Sequence, residues 1–133
     1  MELVFVYGTL KQGFSNHGLL KQSKLIGRAQ TKEKFVMYSS GIPYVSKRFK
    51  SSYISGEVYS VSNDTMYNLD ILEGHPQWYV RSKTSVEVID KKGKTITVDA
   101  WLYFNEHIPQ GADLIQSGIY GQNKTSRFNS LLY

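Results

Sequence analysis

Five consecutive apolar residues, Leu3-Val4-Phe5-Val6-Tyr7, are closed by Gly8. A run without polar alternation reads as a strand buried on both faces, which belongs in the middle of a sheet and not at its edge. Covering such a strand takes one well-filled core. The 133 residues suit a single domain spanning 1–133 and leave little room for two independent cores. Composition supplies the core: 41% of the residues are hydrophobic and 14% aromatic, unlike the make-up of a disordered chain.

The remaining elements follow from pattern. Residues 24–30 and 33–38 read as two short strands, followed by the turn-rich Ser39-Ser40-Gly41-Ile42-Pro43. Residues 53–61 read as a further strand leading into the clearest helix. There Ser62 or Asn63 supplies an N-cap and Asp64 adds negative charge to the first turn, while Met66, Leu69 and Leu72 recur at three-residue steps. Gly74 stops the helix, with Pro76 just beyond. Residues 84–90 and 95–104 alternate and are joined through Asp90-Lys91-Lys92-Gly93, a hairpin signal. The segment from Gly8 to His17 reads as a loop, and Gly18-Leu19-Leu20-Lys21 opens a short helix. After Pro109 the chain turns polar. Ser117-Gly118 and Gly121-Gln122-Asn123-Lys124 read as loop, and the C-terminal stretch is expected to wrap the surface or fray. With no internal repeat, about six strands and one or two flanking helices predict an α+β domain built around a mixed, barrel-like sheet.

Several functions are excluded at this level. The chain has no Cys, which removes a disulfide framework, a thiolate zinc site and a cysteine nucleophile together. His17, His75 and His107 show no H-x-x-x-H or H-E-x-x-H spacing, so no metal site is expected. Sixteen Lys and Arg against eleven Asp and Glu give a net charge of +5, but no dense basic block occurs, and the cations read as a solvated surface and not as a nucleic-acid footprint. MELVFVYG lacks a basic leader region and no stretch reaches ~18 apolar residues, so the expected location is cytoplasmic with no membrane partner.

Two constellations are left to carry chemistry. Tyr7-Gly8-Thr9-Leu10-Lys11 stands where the buried strand ends, and the glycine allows a sharp turn whose N–H groups are free to hold an anionic group or a carbonyl. Taken alone it is also an ordinary turn, and it lacks the G-x-x-x-x-G-K-[ST] spacing of a P-loop. The second constellation places Glu73 at the very end of the helix, before Gly74-His75-Pro76-Gln77-Trp78-Tyr79-Val80-Arg81. A carboxylate there meets the negative end of the helix dipole, at a cost of up to ~1 kcal/mol for the ionised form. That invites a raised pKa and proton transfer, against the plainer reading of a solvated Glu before a capping glycine. Asp70 reads as a solvent-face residue and Arg81 as a surface cation. Trp78 and Tyr79 are either core aromatics or the wall of a pocket beside Glu73.

In this order and at this separation, the two constellations resemble the gamma-glutamyl cyclotransferase-like family. In that family a strand ending Y-G-[TS]-L-[KR] precedes a helix ending D-x-x-E-G-x-P-x-x-Y-x-R. The opening run with Gly13, Asn16, His17 and Leu20, the segment Gly56-Glu57-Val58-Tyr59, and Ser117-Gly118-Ile119-Tyr120 resemble most the gamma-glutamylamine cyclotransferases. The resemblance implies a small barrel-like mixed sheet with flanking helices. It also implies conversion of a γ-glutamyl compound, such as γ-glutamyl-ε-lysine, into 5-oxoproline and a free amine, without cofactor or metal. Carried over by position, Glu73 is the acid/base. Tyr7, Gly8, Thr9 and Leu10 cradle the glutamyl moiety, and Tyr79 and Tyr120 are pocket walls. One departure stands out: Ile119 occupies the place where related chains often carry an acid before Tyr120. Two other readings compete, a non-catalytic small-ligand binder of the same fold and a basic β module that binds single-stranded nucleic acid. Oligomeric state is not legible.

Overall fold

The computed structural model describes residues 1–121. The expected loop at Gln122-Asn123-Lys124 and the tail after it lie outside the described residues. The elements are β1 (Glu2–Val6), a short 3-10 helix (His17–Leu20), β2 (Lys24–Ser40), β3 (Ile42–Ser46), β4 (Ser52–Val61), α1 (Asn63–Glu73), β5 (Val80–Ile89), β6 (Thr95–Phe104) and β7 (Asp113–Leu114). Five strands run in the order β2-β4-β1-β6-β5, and β5 pairs back onto β2 from Arg28↔Ile89 to Thr31↔Val86, closing a barrel. The joins are antiparallel except β1–β6, which is parallel at Val4↔Trp101. The sheet is therefore mixed, and closure leaves the ring without a free edge. β3 and β7 both pair with the far half of β2.

β1 is buried on both faces, as its unbroken apolar run requires. Phe5 and Tyr7 join Ala29, Ile54, Val58, Val86, Val88, Ala100 and Leu102 in a cluster drawn from all five barrel strands, which is the barrel interior. Val4 and Val6 face the other way, packing with Leu20, Tyr59, Met66, Leu69 and Tyr103 beneath α1 and the 3-10 helix. Each side chain of this size withdrawn from water contributes about 1.5–3 kcal/mol, so one strand anchors two layers at once.

Two expectations are corrected. Residues 24–30 and 33–38 are not separate strands but parts of the 17-residue β2. The polar Lys32-Glu33-Lys34 that suggests a break is an exposed irregularity, where the register against β4 shifts between Gln30 and Lys34. Thr31 bridges it: its hydroxyl donates to the Glu33 carbonyl at 2.7 Å and accepts the Ile54 N–H at 3.0 Å. The turn-rich segment after Ser39 in turn continues into a strand, because Gly41 lets β2 fold back on β3 with Ser40 opposite Ile42.

Candidate active site

α1 begins where the Ser62 hydroxyl accepts the Thr65 N–H at 3.1 Å, and Met66 and Leu69 fix it to the barrel. Leu72, expected to complete that stripe, is instead 36% exposed and lines a cavity. Termination is local chemistry. Gly74 takes the left-handed conformation at φ 64°, its N–H donates to the Ile71 carbonyl at 3.1 Å, and the His75 N–H donates to the Asp70 carbonyl at 2.9 Å. This reciprocal pair is the Schellman arrangement that satisfies the last free carbonyls of a helix. The Tyr79 N–H then donates to the Glu73 carbonyl at 3.1 Å, so Tyr79 is carried back beside the helix end.

Glu73 and Tyr79 line a cavity of about 200 Å³ together with Tyr7, Gly8, Thr9 and Leu10 from the end of β1. Gly8 permits this meeting: a Cβ there would lie 2.6 Å from Pro43 Cγ, inside the van der Waals envelope of the opposite wall. The loop is held from behind. The Asn16 side chain donates to the Thr9 hydroxyl at 2.9 Å, the Asn16 N–H to the Thr9 carbonyl at 2.9 Å, and the Gln12 N–H to the Glu57 carboxylate at 3.0 Å. Among the described residues, nothing accepts the N–H groups of Gly8, Thr9 or Leu10. They are available to a ligand carboxylate or a developing oxyanion.

Electrostatics separate the titratable groups of the cavity. Glu73 forms no side-chain hydrogen bond or ion pair with another described residue, and burial raises its pKa to about 7. Tyr7 and Tyr79 are pushed well above the usual phenol range, first by burial and then by the nearby Glu73. Their hydroxyls are engaged as well, donating to the Tyr103 carbonyl at 2.6 Å and the Pro43 carbonyl at 2.7 Å. Glu73 is thus the lining group whose pKa burial brings nearest to neutrality. Tyr79 is a rigid wall, stacked on Tyr44 at 5.8 Å and edge-on to Trp78 at 4.9 Å.

Of the residues the sequence nominates, Tyr7, Gly8, Thr9, Leu10, Glu73 and Tyr79 meet in this cavity, and Tyr120 does not. Tyr120 lines a neighbouring cavity that shares Thr9 and Ile42 with the first, its hydroxyl donating to the Gly41 carbonyl at 3.2 Å. Asp70 and Arg81 depart from expectation more sharply. Asp70 is part-buried, accepting from Arg81 Nε at 2.8 Å and from the Tyr103 hydroxyl at 2.7 Å, and Arg81 also lies over the Trp101 ring at 4.2 Å. Burial alone would raise the Asp70 pKa, but the Arg81 and Tyr103 hydrogen bonds outweigh it and hold the carboxyl below its ordinary value. Tyr103, absent from the sequence-based site, lines the cavity on the helix-facing side of β6. The one signal for it was strand alternation, which sets Tyr103 opposite Leu102 and Phe104 without saying what covers that face.

Comparison with known proteins places these features in context. The family model described as gamma-glutamyl cyclotransferase, AIG2-like, matches residues 4–122. A Methanocaldococcus jannaschii protein, provisionally named a gamma-glutamylcyclotransferase, is 50% identical over 122 residues, covering 90% of this chain and 96% of its own. The Rattus norvegicus gamma-glutamylaminecyclotransferase is 36% identical over 102 residues, covering 70% of this chain and 68% of its own. The crystal structure of an AIG2-like protein from Mus musculus superposes with a TM-score of 0.75 at 27% identity, over 88% of this chain and 87% of that one.

Proposed function

The chain belongs to the gamma-glutamyl cyclotransferase, AIG2-like family, and from that membership we propose that it converts a γ-glutamyl amine, such as γ-glutamyl-ε-lysine, or a γ-glutamyl amino acid into 5-oxo-L-proline and a free amine, with Glu73 as general acid/base. The observation that carries this reading is the meeting, in one cavity, of a carboxylate that no described residue pairs and a loop whose N–H groups no described residue accepts.

The substrate brings its own nucleophile. The α-amine nitrogen bonds to the γ-carbonyl carbon, closing a five-membered ring, and the bond from that carbon to the leaving nitrogen breaks. The α-ammonium loses two protons, one to free the lone pair that attacks and one from the ring nitrogen as the lactam forms; the departing nitrogen takes up one to leave as the amine and a second to become an ammonium, so a single carboxylate that takes and returns a proton twice balances the reaction. Intramolecular attack already has a high effective molarity, and the protein has only to hold the bent conformer and move protons. An ordinary Glu near ~4.3 is a poor match for an α-ammonium near ~8. At about 7, Glu73 is a close match. The N–H groups of Gly8, Thr9 and Leu10 hold the substrate carboxylate or the oxyanion that develops on the γ-carbonyl, with Tyr7 and Tyr79 as walls.

Glu73→Gln tests the assignment, because the amide keeps the shape and loses the base. The variant is expected to release 5-oxoproline about 10³-fold more slowly than wild type while still binding 5-oxoproline. Turnover at the wild-type rate would remove Glu73 from the mechanism.

A further inference from the structure

We propose that Tyr103 recognises the α-ammonium of the substrate: its hydroxyl gives its proton to Asp70, and the phenol oxygen is left as an acceptor on the Glu73 side of the cavity. The inference rests on the cyclotransferase reading of that cavity and adds the group that fixes which way round the glutamyl end sits.

Three phenols line the cavity, those of Tyr7, Tyr79 and Tyr103. Each has one proton to donate, and each proton is committed within the protein. Tyr7 donates to the Tyr103 carbonyl at 2.6 Å, Tyr79 to the Pro43 carbonyl at 2.7 Å, and Tyr103 to Asp70 Oδ1 at 2.7 Å. The direction of all three bonds is forced. Carbonyl oxygens carry no proton, and Asp70 is held ionised, against the pull of burial, by the Arg81 and Tyr103 hydrogen bonds. None of the three hydroxyls has a proton left for a ligand, so a group that meets them must bring its own.

The glutamyl end of the substrate sorts itself against this pattern. Its α-carboxylate and γ-carbonyl only accept, which suits the N–H groups of Gly8, Thr9 and Leu10; its α-ammonium only donates, which suits a phenol oxygen. Chemistry singles out one of the three. The Tyr7 oxygen already takes a hydrogen bond from the Val45 backbone. Tyr79 gives its proton to an uncharged carbonyl, whereas Tyr103 gives its proton to a carboxylate, and that charge-assisted bond leaves the donor oxygen more negative. Position agrees. Asp70 stands three residues before Glu73 on α1, and residues so spaced are neighbours on a helix surface, with Cβ atoms about 5–6 Å apart. A hydroxyl held by Asp70 is therefore on the side of the cavity where Glu73 takes the α-ammonium proton. Burial, then Asp70 and the Glu73 carboxylate, raise the Tyr103 pKa, so the phenol keeps its proton and the bond to Asp70 persists at neutrality. Asp70 is a positioning residue here, acting through Tyr103.

A ligand pair that differs only in the amine tests this without turnover. S-butyl-L-homocysteine keeps the α-amino acid end and offers no γ-carbonyl to attack, and 4-(butylthio)butanoate lacks the amine. Dissociation constants are measured by calorimetry at pH 7 for wild type, Tyr103→Phe, Asp70→Asn and Tyr79→Phe, with folding of each checked by circular dichroism. Wild type is expected to prefer the amine-bearing ligand. Tyr103→Phe is expected to lower that preference about tenfold, as suits one hydrogen bond to a charged group, while binding the deamino ligand as before. Asp70→Asn, which keeps an acceptor for the hydroxyl without its charge, is expected to lower the preference about threefold. Tyr79→Phe is expected to shift both ligands alike. A wild type that binds neither ligand or favours neither, or a Tyr103→Phe preference equal to that of wild type, would overturn the assignment. 5-Oxoproline release from γ-glutamyl-ε-lysine and γ-glutamyl-alanine by the same wild-type sample keeps the two readings apart. Release with an unchanged Tyr103→Phe preference removes Tyr103 alone, and release from neither compound contradicts the cyclotransferase reading itself.

Discussion

Asp70 and Glu73 stand three residues apart in the last turn of the same helix, before the same capping glycine, and the fold treats them in opposite ways. Asp70 faces β5 and β6, where Arg81 and the Tyr103 hydroxyl hold it ionised. Glu73 faces the end of β1, where burial raises its pKa to about 7 and no cation among the described residues compensates. Residue type and helix position are nearly shared, so the difference lies in what the barrel brings to each. A paired carboxylate is held ionised, whereas one buried without a described counter-charge is pushed toward its protonated form.

The largest effect is expected from exchanging what each carboxylate has. Asp70→Asn is expected to lower unfolding free energy by about 2–3 kcal/mol at pH 7, because it leaves the Arg81 guanidinium part-buried without its counter-charge; chemical denaturation measures it. The Asp70 pKa is lowered on folding, so its contribution is present above the ordinary carboxylate pKa and is lost as pH falls through the folded value. The wild-type advantage over Asp70→Asn should therefore vanish in acid.

Glu73→Gln should behave in the reverse manner. The folded pKa of about 7 lies above the ordinary 4.5, so folding favours the protonated form; that contribution is complete below 4.5 and is lost as pH rises through 7. At pH 8 the Gln variant is expected to be more stable than wild type by about 2 kcal/mol after allowance for partial solvation, with the gain gone near pH 4.5. The same denaturation series at both pH values reads it.

Smaller effects sharpen the contrast. Tyr79→Phe removes the hydroxyl that donates to Pro43 and is expected to cost about 1 kcal/mol of stability, with turnover lowered only through the position of the wall. The wild-type profile of kcat/KM should be a bell. It falls below pH 7 as Glu73 becomes protonated, and falls above the substrate α-ammonium pKa of ~8, where the acid that serves the leaving group is lost.

Much of this was written in local pattern. The unbroken run of β1 announced a strand covered on both faces, the Ser62 and Gly74 signals bounded α1, and strand alternation through Phe104 delimited β6, because each depends on nearest neighbours in sequence. The Y-G-T-L and Glu73 constellations likewise pointed to residues that meet in one cavity. What was not legible depends on barrel closure. Nothing local distinguishes Asp70 from a solvent-face residue, since Arg81 and Tyr103 reach it only when β5 and β6 pass beside the helix. Lys32-Glu33-Lys34 looks like a break until the Thr31 hydroxyl is seen to bridge β2 to β4. Tyr120 was nominated as a wall of the Glu73 cavity, but which cavity a wall belongs to is fixed by the path of the chain after β7.

The most direct test is a carbon-detected NMR titration of the two carboxyls in the ligand-free protein. The expected result is a Glu73 midpoint near 7 beside an Asp70 midpoint below its ordinary value, in the same sample. A Glu73 midpoint near 4.5 would contradict the division of labour on this helix and remove the physical basis for Glu73 as the proton carrier.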